Sequence, residues 1–87
     1  MSRKLFDDIN RKYMREHRIL ELKKERKQIT FEEFTVMHKL LWLLHEKELV
    51  EKDFIEPYTH NLEESIEQVL AEKKKICPNQ KFSFEET

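Results

Sequence analysis

Eighty-seven residues with 17 Lys/Arg, 18 Asp/Glu and no glycine leave room for one domain at most and favour helix throughout. A chain this short buries only ~60–65% of its unfolded surface, so its stability is marginal unless something is added. The lone cysteine, Cys77, excludes an internal disulfide, and no CxxC or CxxxH spacing suggests zinc. Oligomerisation is then the expected extra source of burial.

Met1 is followed by Ser2, Arg3 and Lys4, and no apolar run has the length of a signal peptide or a membrane span. A cytoplasmic location is expected, and a single Cys suits a reducing interior. The net charge of −1 hides an asymmetry. Residues 1–28 carry ten Lys/Arg against five Asp/Glu, whereas residues 29–87 carry seven against thirteen. The chain reads as a basic arm joined to an acidic body.

A first helix is predicted over residues 2–27, with Ser2 as N-cap. Phe6, Ile9, Tyr13 and Leu20 mark its apolar stripe, and His17 occupies a stripe position where an apolar residue would be expected. Asp7 and Asp8 near its start and Lys23, Lys24, Arg26 and Lys27 near its end suit the helix dipole. The second helix starts at a capping box, Thr30 with Glu33, and should run to about Lys47. Its opening stretch, Ile29 to Leu44, is apolar most of the way round and must be covered from several directions. The short link implies that these two helices are antiparallel neighbours.

A short helical turn is expected from about Val50 to Glu56, broken by Pro57. Asn61 is read as the N-cap of a further helix over 61–76, with Leu62, Ile66, Val69 and Leu70 as its stripe and Pro78 as its stop. The tail from Cys77 alternates Phe82 and Phe84 with polar residues. It reads either as an extended piece docked in a groove or, the favoured expectation, as partly disordered. The fold expected is therefore all-α: a small antiparallel bundle of three main helices plus a short helical turn, forming one domain over 1–76, with a flexible C-terminal tail over 77–87.

A shift of twenty residues lays LELKKERKQITFEEF (20–34) over LLWLLHEKELVEKDF (40–54), matching Leu20 with Leu40, Lys27 with Lys47 and Phe34 with Phe54. The ITFEEF turn followed by KLLWLL resembles, over about a quarter of the chain, the short helical hairpins called SHOCT domains. Gln28 stands where that family usually has glycine. The resemblance implies a role in oligomerisation.

Catalytic and metal chemistry find little support. His38 and His45 share a helix face two turns apart, too far to hold one metal unaided. His45–Glu46 does not complete HExxH, because residue 49 is leucine. Cys77 falls at a helix C-terminus, where the dipole raises a thiol pKa, and there is no glycine loop to cradle phosphate. Glu32/Glu33 and Glu63/Glu64 occupy first-turn capping positions. No enzyme activity, metal, cofactor or small-molecule substrate is expected.

Two surfaces remain as candidates. Lys4, Arg11, Arg15 and Arg18 share one face of the first helix and could meet nucleic-acid phosphates or an acidic protein. Against nucleic acid stand the acidic body and a sequence pI near 6.4. Met37, Leu40, Trp42, Leu43 and Phe54 are read as surplus apolar surface for a partner or a symmetric dimer. The reading is a non-enzymatic regulatory or adaptor protein working through protein–protein contact, as a homodimer. A small transcriptional regulator or nucleic-acid accessory factor is the alternative.

Overall fold

The computed structural model describes residues 3–85. It contains three helices in chain order: α1 over Arg3–Glu25, α2 over Phe31–Glu51 and α3 over Leu62–Ile76, followed by a single 3-10 turn at Ser83–Glu85. This is the all-α bundle expected. Pairings along α1 and α2 run in opposite senses: Asn10 meets His45, His17 meets Trp42 and His38, and Lys24 meets Phe34. The principal contacts are those of α2 with α1 and of α2 with α3, so α2 is the central element. The proposed cap Ser2 and the last two residues of the tail lie outside the described residues.

The helix ends show how a chain without glycine turns. α1 stops because Lys27 adopts the left-handed conformation (φ 58°), so that the Lys27 N–H reaches Lys24 O at 3.1 Å and the Gln28 N–H reaches Lys23 O at 2.9 Å. α2 then starts at the predicted capping box: Glu33 N–H donates to Thr30 Oγ1 at 3.0 Å, and Thr30 N–H donates to Glu33 Oε1 at 2.9 Å.

Two boundary expectations are corrected. α2 does not end near Lys47, and no separate short helix forms over Val50–Glu56. Glu, Lys and Leu favour helix, and no proline intervenes before Pro57, so α2 continues to Glu51. It closes on the same kind of turn as α1. Asp53 takes φ 61° and donates to Val50 O, while Phe54 N–H donates to Leu49 O. A short polar side chain makes Asp one of the few residues that tolerate this conformation. The twenty-residue repeat dissolves with this correction, since Lys27 lies in a turn and Lys47 inside a helix. Asn61 holds the predicted N-cap position of α3, but at φ 54° its side chain makes no cap hydrogen bond and instead donates to the Glu64 carboxylate.

The core draws Ile9, Tyr13 and Leu20 from α1, Val36, Met37, Leu40 and Leu41 from α2, and Ile66 and Val69 from α3. α2 presents apolar residues on several sides, and the tail adds Phe82 to the core and packs against α1. Phe82 is 1% exposed, Phe84 packs edge-on against Tyr13 at 5.5 Å, and Ser83 donates through its N–H (3.1 Å) and its hydroxyl to the buried Glu16 carboxylate. Of the two readings of the tail, its described part takes the docked one. Among the described residues no helix is long and apolar enough to cross a membrane.

Candidate partner-binding face

One side of α2 carries Phe31, Thr35, His38 and Lys39, Trp42 and, at its buried end, Glu46, each about one turn from the next and therefore in one row. Along this row lies an open groove of about 390 Å³, lined by Phe34, Thr35, His38, Lys39, Trp42, Leu43, Glu46, Tyr58 and Thr59. Its far wall is the loop between α2 and α3. Glu46 holds that loop: although only 2% exposed, its carboxylate accepts the N–H of Tyr58 at 3.0 Å, the N–H of Thr59 at 2.9 Å, and the Thr59 hydroxyl. A buried carboxylate without a cation must be satisfied by donors of this kind. The result is a fixed rim on which Tyr58 stands 72% exposed.

The near wall is aromatic. Trp42 lies 4.4 Å from the His17 ring, 5.9 Å from His45 and 6.2 Å from His38. His45 stacks on Tyr13 at 4.6 Å and pairs through Nε2 with Asn10 Oδ1 at 2.7 Å. The Tyr13 hydroxyl donates to Leu44 O at 3.3 Å; burial and then the adjacent Glu48 carboxylate push this phenol well above its ordinary range. Glu48 is held across the seam by Lys12 at 2.9 Å. Burial lowers the pKa of both His17 and His45 from the ordinary value of 6.5.

These placements sort the predicted surface residues. Trp42 is 42% exposed and Leu43 half-buried, and both line the groove. Met37 and Leu40 do not belong to a partner surface, since each is 1% exposed and sits in the core. Phe54 is half-buried and closes edge-on over Phe6 at 5.1 Å, so it tethers the α2–α3 loop to the start of α1. Counting three helices alone overstated the uncovered apolar area, because Phe82 and Phe84 supply additional cover. Conversely, Phe31 at 74% and Tyr58 at 72% exposure add apolar surface to this face beyond the expected residues. Phe31 carries a legible signal, being in the α2 row of Thr35 and Trp42. Tyr58 carries none, because its position depends on the loop.

Lys4, Arg11, Arg15 and Arg18 are all exposed on the side of α1 away from the core. Among the described residues only Arg11 of the four has an ion pair, with Asp8 at 3.7 Å. Cys77 is 3% exposed, and burial raises its thiol pKa, with Lys73 opposing and Glu33 adding to the effect, so it packs in the core as a thiol. No group of three or more potential metal-ligating side chains comes together among the described residues. No family model, curated protein or solved structure matches the chain.

Proposed function

We propose that this chain is a small non-enzymatic regulatory or adaptor protein that acts in the cytoplasm through protein–protein contact, as a homodimer formed on the outward face of α2. The observation that carries the reading is the Trp42 groove, an apolar recess beside two aromatic side chains left more than 70% exposed, Phe31 and Tyr58. Contiguous apolar surface of this kind marks interaction sites.

The face also suits its own copy. A symmetric dimer places one patch against the same patch reversed. If two α2 helices cross antiparallel with the axis between His38 and Lys39, Thr35 falls opposite Trp42. Phe31 then falls opposite Glu46, where Tyr58 and Thr59 form the groove end. A projecting phenyl ring at one end of the row thus meets a recess at the other, about 22 Å away along the helix. The two Lys39 side chains beside the axis are exposed and long enough to turn their ammonium groups to water.

Sedimentation should show a dimer. Phe31→Glu and Trp42→Glu should each weaken association by about thirtyfold or more, equivalent to about 2 kcal/mol for a central aromatic anchor. Phe31→Glu is the cleaner variant, because Phe31 is largely solvent-exposed in the single chain, whereas Trp42 also packs on His17. A wild-type chain that stays monomeric, or variants that associate equally well, would remove the dimer reading.

The exposed Lys4, Arg15 and Arg18 side chains favour a second reading, contact with nucleic acid along α1. Retention on duplex DNA that weakens steeply between ~50 and ~200 mM salt, and is lost in Arg11→Ala/Arg15→Ala/Arg18→Ala, would support it. No retention at low salt would end it.

A further inference from the structure

Three of the four histidines are gathered in the α1–α2 seam around the only tryptophan. Rings follow one another from Phe34 through His38, His17, Trp42, His45 and Tyr13 to Phe84, each centroid within 6 Å of the next. A seam of this kind is ordinarily built from aliphatic side chains. Here imidazoles take those places, and they are the side chains whose charge changes near neutral pH.

His17 is the weakest member. It is 8% exposed, and its buried Nε2 has no hydrogen-bond partner. Whichever ring nitrogen carries the first proton, a second proton leaves a buried N–H and a positive charge to be satisfied. The His38 ring centre is 5.0 Å away, and Trp42 covers the other approach. We propose that the α1–α2 seam is a proton-operated latch: proton uptake by the imidazoles of His17 and His45 loosens α1 from α2 around Trp42 while α3 stays packed on α2.

The surrounding charges do not cancel this effect. Those acting on His17 are Glu21 of α1, which attracts the proton, and His38 and His45 of α2, which repel it. Those acting on His45 are Glu48 of α2, which attracts, and Lys12 of α1, which repels. The Glu48 carboxylate is already engaged by the Lys12 ammonium. Further along the seam, Lys24 adds positive charge over the Phe34 ring at 4.2 Å. The tail presents Phe84 to Tyr13 and turns the Glu85 carboxylate back to the Phe82 N–H. α3 contributes the apolar residues Ile66 and Val69 to the core. Burial is the largest influence on both rings.

The sign follows from linkage. A histidine whose folded pKa lies below its unfolded value binds fewer protons when folded. Stability therefore rises with pH through the window between the two values and falls as pH drops below 6.5. Because α1 and α3 each pack chiefly on α2, the seam can loosen without unpacking α3.

Trp42 is the reporter. Its emission, followed from about pH 7.5 to about pH 5, should fall and shift to the red as imidazolium forms beside it and water enters. Amide protection, corrected for intrinsic exchange, should drop in α1 over the same range while α3 stays protected. His17→Phe should remove the transition or move it to lower pH, and His60→Phe, outside the seam, should leave it in place. If His17→Phe does not fold, His45→Gln serves instead, since it keeps a donor for Asn10 and cannot titrate. An unchanged midpoint in the folded seam variant would overturn the latch. So would loss of α3 protection together with α1, which is ordinary acid unfolding.

Discussion

Phe82→Ala should destabilise the folded chain by about 3–5 kcal/mol, the usual cost of emptying a fully buried aromatic site. Phe82 is 1% exposed and belongs to the buried core cluster, and the residues after it bind α1. A domain of 87 residues has roughly 4–13 kcal/mol of stability in total, so this single truncation consumes a large part of it. The cost is limited by one alternative: the variant can release the tail instead of keeping the cavity. Release would break the Ser83 bonds to Glu16 and hydrate a carboxylate that is 2% exposed in the folded chain. Urea denaturation measures the effect directly. A loss below about 1 kcal/mol would mean that the tail contributes little to the core.

Glu46→Ala should cost about 2 kcal/mol, because hydrogen bonds to a charged acceptor contribute more than neutral ones and three donors converge on this side chain. The two backbone donors lie beside solvent, where Tyr58 is 72% exposed, so water can replace part of what is lost. Glu46→Gln keeps one acceptor oxygen and should fall between wild type and alanine. Thermal or denaturant unfolding of the three proteins gives the order. Equal stability in all three would show that the loop stands without its anchor. The same substitution loosens the rim of the Trp42 groove, so dimerisation should weaken along with stability.

The parts of this structure legible in the sequence are those determined within a few residues. The Thr30–Glu33 box fixes the start of α2 because its two partners are three residues apart. The stripe through Ile9, Tyr13 and Leu20 identifies the buried side of α1, and the Lys4–Arg11–Arg15–Arg18 face follows as its opposite. The apolar girdle of α2 correctly called for cover on several sides.

What escaped detection depends on distant partners. Ser83 and Glu16 are 67 positions apart, and nothing local to the tail reveals that Phe82 has a place in the core. The α2 girdle also does not show by periodicity alone that Met37 and Leu40 are buried while Trp42 is exposed. The Glu46 anchor involves a loop whose path periodicity does not describe. Asn61 stands at the N-cap of α3 as read, but it takes a left-handed conformation without a side-chain cap bond, a local choice that its side chain permits equally well. His17 was visible as an anomaly on an apolar stripe, but the ring contacts that explain it are made with α2.

The dimer axis between His38 and Lys39 is tested most directly by disulfide cross-linking of Lys39→Cys in a Cys77→Ala background, with Glu63→Cys on α3 as the comparison. Residue 39 would lie beside its own copy, whereas residue 63 is exposed on another helix. Mild oxidation of the dilute protein should give a covalent dimer through position 39 and none through position 63. Equal cross-linking at both positions, or none at position 39, would contradict the assignment of the Trp42 face as the self-association surface.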